Sequence, residues 1–187
     1  MESLVTAFVA AGIGEWGDKT QLLVAVLVAR SGRPVTVLLA LFLAAAISSG
    51  AAAFAGALIA PSITIRAMTL MVALALLSAG LTGLVRRKPP STGSGRAPLF
   101  IAALLLCLAA EMGDRTQFLT FALSGRFGTP SLAAAGATAG IVAAALPAAL
   151  LASRFETTLP VRGLRLAGAI LFLIIGFVTA VSALRLT

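Results

Sequence analysis

The chain has 187 residues, 60% of them hydrophobic and 11% charged, with a net charge of +8 and no histidine. Soluble domains carry about 25% charged residues, so this composition excludes an ordinary soluble domain and indicates a polytopic membrane protein. With no histidine and a single cysteine, Cys107, it also excludes Ser-His-Asp and Cys-His catalysis, a zinc site built on His or Cys, and an intrachain disulfide.

In chain order, six apolar runs stand out: Leu4 to Ala29, Thr36 to Ala60, Ala67 to Val85, Pro98 to Ser124, Ser131 to Ala152 and Leu164 to Leu184. Each approaches or exceeds the ~20 residues that span hydrocarbon as a helix. Met1-Glu2-Ser3 lacks the basic opening of a signal peptide, so the first run is expected to stay in the membrane. Breakers separate the runs: Arg30-Ser31-Gly32-Arg33-Pro34, Pro61, Gly125 to Pro130, and Pro160. Pro147 is placed to kink the fifth run, and Gly136 and Gly140 form a small-xxx-small pattern for close helix packing. Ser48, Ser49 and Thr138 are minor polar candidates for a pathway, and Glu156 reads as solvated. The longest polar stretch, Arg86 to Ala97, contains Pro89-Pro90-Ser91-Thr92-Gly93-Ser94-Gly95 and reads as a linker.

The two sides of that linker repeat. A shift of 96 positions, Glu15 to Glu111, also superposes Gly17 on Gly113, Asp18 on Asp114, Thr20 on Thr116 and Gln21 on Gln117. It extends to Arg30 on Arg126, Gly32 on Gly128, Pro34 on Pro130 and Arg66 on Arg162. The expected organisation is a first three-helix repeat over 1–85, a linker over 86–97 and a second repeat over 98–187. An odd helix count per copy inverts the second copy, giving an all-α protein of six transmembrane helices in two inverted repeats.

Most basic residues lie in the connections. Those after runs one, three and five hold Arg30, Arg33, Arg86, Arg87, Lys88, Arg96, Arg154, Arg162 and Arg165, against Arg66, Arg126 and Arg185 on the other side. The positive-inside rule makes the first group cytoplasmic and leaves both termini outside. This accounts for the charge excess without nucleic acid, for which no basic, aromatic-interleaved module is present.

Four of the six acidic residues fall in two near-copies, Glu15-Trp16-Gly17-Asp18-Lys19-Thr20-Gln21 and Glu111-Met112-Gly113-Asp114-Arg115-Thr116-Gln117. Ionisable groups at the centre of a bilayer are expensive and mark function. Each motif lies about 11–13 residues into its run, some 16–20 Å deep at ~1.5 Å per residue. Glu and Asp three apart share one helix face, so two inverted helices would bring Glu15, Asp18, Glu111 and Asp114 together. With the Thr20 and Thr116 hydroxyls and the Gln21 and Gln117 amides, these are hard oxygen donors suited to Mn²⁺, Ca²⁺ or Mg²⁺. The two glutamines serve equally well as interhelical hydrogen-bond partners. Gly17 and Gly113 are candidate helix breaks that free backbone carbonyls. Lys19 and Arg115 tune the site's charge. The balance of four acids and two cations is −2, which one divalent cation or two protons neutralise. The opposing reading is structural: Glu15 with Lys19 and Glu111 with Arg115, four apart, pair within their own helices. Trp16, Met112 and Cys107 read as packing residues.

At these residues the chain resembles the uncharacterised protein family 0016, whose signature E-x-G-D-[KR]-[ST] occurs once in each half of a six-helix core. Both copies match at every signature position, and the resemblance covers essentially the whole chain. It implies a cation/proton antiporter for Ca²⁺ or Mn²⁺, with the motif acids as ligands and no cofactor. Without an organelle-targeting extension, the resemblance points to a multi-pass protein of a prokaryotic cell membrane. The expected function is export of Mn²⁺, or Ca²⁺, in exchange for protons, with the lipid bilayer as surroundings and a homo-oligomer as a possible assembly. The alternatives are a passive divalent-cation channel, a lipid-modifying membrane enzyme and a non-transport assembly subunit.

Overall fold

The computed structural model describes residues 1–85 and 98–184, and these residues are almost entirely helical. Helices α1 (Glu2–Glu15), α2 (Lys19–Ser31), α3 (Pro34–Ile59) and α4 (Ile65–Leu84) precede the linker. They are followed by α5 (Leu99–Glu111), α6 (Arg115–Phe127), α7 (Pro130–Leu151), the short α8 (Phe155–Thr158) and α9 (Val161–Leu184). The linker expected over 86–97 lies outside the described residues, as does Arg185.

Four helical stretches among the described residues are long and apolar enough to cross a membrane: Pro34–Ser62, Ile65–Leu84, Pro130–Thr158 and Val161–Leu184. The first and fourth runs are each two half-length helices: α1 and α2, then α5 and α6. Both breaks fall inside the acidic motifs. Proline at the first helical position starts α3 and α7, where its fixed φ and missing N–H cost nothing. Gly32 and Gly128, both left-handed, end α2 and α6. The helix starts at Pro34 and Pro130, and at Ile65 and Val161, are separated by the spacing of 96 read from the sequence.

Small residues set the packing. A Cβ on Gly136 would strike the Leu4 carbonyl, and one on Gly140 the Phe8 carbonyl, so α1 and α7 run parallel with their backbones in near contact. Helices α4 and α9 run antiparallel: Gly80 meets Leu173, Gly176 meets Leu77, and Arg66 donates to the Ala183 carbonyl at 2.6 Å. The core is correspondingly rich in alanine, with Ala40, Ala44, Ala75, Ala103 and Ala148 fully buried. Leu39, Phe42, Leu58, Ile174 and Phe177 are exposed outward, as lipid-facing residues of a membrane protein are. Ser48 and Thr138 return their hydroxyls to helix carbonyls, Ala45 and Ala134, as hydroxyls in apolar helices commonly do. Pro147 sits inside α7, which continues through it from Pro130 to Leu151. Arg162 and Arg165, counted above as connection residues, belong to α9, and Arg165 is buried.

Candidate metal centre

Each motif is a sharp turn between two half-helices. Helix α1 ends at Glu15 and α5 at Glu111. The turns close identically, the Asp18 amide donating to the Glu15 carbonyl and the Asp114 amide to the Glu111 carbonyl, both at 3.1 Å. Gly17 (φ +68°) and Gly113 (φ +70°) take the left-handed conformation that side chains disfavour. Each is then held from the next helix: the Gly17 N–H donates to Gln21 Oε1 at 2.8 Å, and the Gly113 N–H to Gln117 Oε1 at 3.1 Å. Gln21 also donates through Nε2 to the Ala144 carbonyl of α7.

The helix-face geometry expected for Glu and Asp three apart is corrected here. Asp18 and Asp114 have extended backbones and stand as N-caps of α2 and α6. Aspartate at this position commonly caps the helix with its carboxylate. Neither does so, and both side chains pair with a cation of the opposite motif.

The motifs interlock reciprocally. Thr116 donates its hydroxyl to Glu15 Oε1 at 2.6 Å, and Thr20 donates to Glu111 Oε1 at 2.9 Å. Lys19 Nζ lies 3.1 Å from Asp114 Oδ1, and Arg115 Nη2 lies 3.6 Å from Asp18 Oδ1. The cations thus pair across the motifs with the aspartates, not with the glutamates four residues away. Arg115 Nη2 also donates to the Gly14 carbonyl, and its Nη1 passes Gly83 of α4, where a Cβ would come within 3.0 Å.

One carboxylate oxygen each from Glu15, Asp18 and Asp114 lies within 4.8 Å of the others. Glu111, expected in the same cluster, stands beside it on Thr20. All four acids are buried, Asp114 the least at 6% exposure. Oε2 of Glu15, Oε2 of Glu111 and Oδ2 of Asp114 have no hydrogen-bond partner among the described residues. A buried carboxylate oxygen left unpaired is costly, so this arrangement calls for a cation or a proton.

The two sides differ. Gly17 is buried under Val161 and Arg165 of α9, whose atoms lie 3.0–3.1 Å from where its Cβ would be. Around Gly113 there is open space, beside a cavity of about 430 Å³ lined by Asp114, Gln117, Phe118 and Ala52. Lys19 is 25% exposed where Arg115 is 5% exposed. Met112 is exposed, whereas Cys107 is fully buried in the core, as a packing residue is. The sequence reading missed Arg165, the Ala144 carbonyl and the Gly14 carbonyl. The last two are backbone atoms in alanine- and glycine-rich helices, and nothing in residue identity marks them.

No solved structure matches this chain. A manganese exporter described as putative, from Vibrio cholerae serotype O1, is 28% identical over 183 residues, covering 96% of this chain and 91% of that protein. The family model described as divalent cation/proton antiporter GDT1 matches twice, over residues 3–90 and 99–186. Two matches, one for each copy of the motif, cover nearly the whole sequence, and the chain belongs to the GDT1 family of divalent cation/proton antiporters.

Proposed function

We propose that this antiporter exports Mn²⁺, or Ca²⁺, in exchange for protons, through one site built by both motifs. Glu15, Asp18 and Asp114 are the core ligands, with Glu111 as the fourth acid. Thr20 and Thr116 orient the two glutamates. Gln21 and Gln117, whose amide oxygens hold the glycine turns, brace the breaks behind the ligands. Lys19 and Arg115 keep the empty site's charge low enough to be tolerated in the membrane. The observation that carries this reading is the reciprocal cluster of buried carboxylates with unpartnered oxygens.

Metal and protons then compete for the same oxygens. A carboxylate must be deprotonated to bind metal, so loading one ion releases protons and unloading takes them up. That competition is the chemical basis of exchange. The hard donor set favours Mn²⁺, Ca²⁺ or Mg²⁺, and the name given to the Vibrio cholerae relative favours Mn²⁺.

In this reading the half-helix pairs α1–α2 and α5–α6 each act as one broken span. With α3, α4, α7 and α9 they make six spans in two inverted repeats, 1–85 and 98–187. The packed Gly17 side and the open Gly113 side then correspond to one of two alternating states. Charge bias in the connections puts both termini outside and the linker in the cytoplasm of a prokaryotic inner membrane.

The test is a comparison of Mn²⁺, Ca²⁺ and Mg²⁺ in proteoliposomes with an internal pH reporter. Wild type is expected to move protons with Mn²⁺ most strongly. Asp114→Asn is expected to abolish the signal while leaving the protein folded. Undiminished exchange in that variant would sink the site.

A further inference from the structure

On the face of the molecule that carries the N-terminus, two cavities meet at Thr69. The larger, about 510 Å³, is an almost wholly apolar cleft between α1, α4, α6 and α9. Its inner wall is made by buried Leu76, Leu123 and Phe172, and its lips by exposed Val5, Val9 and Ile175. The smaller, about 230 Å³, is lined by Arg66, Thr69, Ser182 and Ala183. Arg126 stands on the rim of the cleft and donates through Nε to Thr69 Oγ1 at 3.1 Å. Arg66 is held beside it by the Ala183 and Leu184 carbonyls, at 2.6 and 2.8 Å. Among the described residues no acidic side chain lines either cavity.

The cleft is poorly suited to the transported ion. A divalent cation gains nothing from an aliphatic wall and is repelled by two guanidinium groups at the mouth. The combination fits the opposite charge on an apolar tail. We infer that this is a binding site for a phospholipid with an anionic headgroup, its phosphate between Arg66 and Arg126 and one acyl chain in the cleft. Arginine is suited to bidentate phosphate contact, and its bonds to Thr69 and to backbone carbonyls pre-set both guanidinium groups. The cleft's volume lies within the roughly 300–1,000 Å³ that hold drug-sized ligands. The seat also touches the machinery. Phe172, which walls the cleft, lies 3.8 Å from where a Cβ on Gly14 would be, next to Glu15. A chain lodged there packs on the side chain that borders the metal centre.

The test is native mass spectrometry of the detergent-purified protein offered phosphatidylglycerol and phosphatidylcholine of identical chains in equal amounts. Wild type is expected to retain phosphatidylglycerol over phosphatidylcholine by about tenfold: both lipids carry the phosphate, but choline sets a second cation beside two guanidinium groups, a repulsion on the scale of two partly exposed charge pairs. Arg66→Gln with Arg126→Gln should bring the ratio to about one. Val9→Trp, which fills the cleft from its exposed lip, should lower retention of both lipids severalfold. Manganese-driven proton movement in each variant verifies folding, since none of the three residues lies in the metal centre. Equal retention of both lipids by wild type would mean annular lipid only and would overturn the inference. So would an unchanged ratio in the arginine variant, or undiminished lipid in Val9→Trp.

Discussion

Thr116 of the second motif holds Glu15 of the first through a 2.6 Å hydrogen bond, and Thr20 returns the arrangement to Glu111 at 2.9 Å. Each half of the chain therefore holds a glutamate of the other half. Removing the hydroxyl leaves a buried carboxylate oxygen unheld. Thr116→Val should raise the half-saturating Mn²⁺ concentration about tenfold, the scale of losing a hydrogen bond to a charged group worth about 1.5 kcal/mol. Thr116→Ser should restore it, as read from concentration-dependent proton release in proteoliposomes. An unaltered Thr116→Val would show that the bond does not position a ligand.

The two cross-motif ion pairs are unequal. Arg115 is almost fully enclosed, while Lys19 is a quarter exposed. Breaking a buried pair strands a charge and typically costs about 3–5 kcal/mol, whereas partly exposed pairs are worth roughly 1 kcal/mol or less. Arg115→Gln should therefore lower the thermal midpoint of the purified protein far more than Lys19→Gln. Equal shifts would contradict the asymmetry described at the site.

The glycine turns offer a paired comparison of the two sides. Alanine at either position meets the left-handed backbone, which costs about 1–2 kcal/mol. At Gly17 it also meets Val161 and Arg165 at 3.0–3.1 Å, while at Gly113 it meets nothing within 4 Å among the described residues. Gly17→Ala is expected to depress folding yield and thermal stability well beyond Gly113→Ala. The measurement is the thermal midpoint of both variants side by side, and similar midpoints would remove the evidence for a packed side and an open side.

Competition for the carboxylates fixes the sign of the pH effect. Acidifying the metal-loading side favours protons in that competition and must weaken metal binding. If one or two protons leave per ion, the half-saturating metal concentration should rise by about ten- to a hundredfold per pH unit in the range where the ligands titrate. Direct binding titrations of the detergent-purified protein at stepped pH measure this. An affinity independent of pH would separate metal from protons and remove the exchange chemistry.

Much of this was legible in the residues. The doubled motif at a spacing of 96 marks the same helix starts that the fold shows at Pro34 and Pro130. The glycines at the breaks were readable because residues 17 and 113 sit in otherwise apolar helical patterns. The pairing partners were not. Spacing of three and four favours contacts within one helix, and that expectation fails once the helix ends at Glu15 and the chain turns. After the turn, Lys19 and Arg115 find aspartates 95 and 97 positions away in sequence, 114 − 19 and 115 − 18. Periodicity carries no information about such distant partners. Arg165 was counted with the connection although it stands one residue inside the last apolar run, and the helix begins earlier still, at Val161.

The central claim is that one buried carboxylate site couples metal to protons. The most direct measurement is Mn²⁺ movement in proteoliposomes with equal Mn²⁺ on both sides and only a pH gradient imposed. Coupled exchange predicts that Mn²⁺ accumulates against its own gradient in the compartment that loses protons, and that Asp114→Asn abolishes the accumulation. Mn²⁺ that only ever equilibrates, whatever the pH gradient, would show a passive pore and contradict the account.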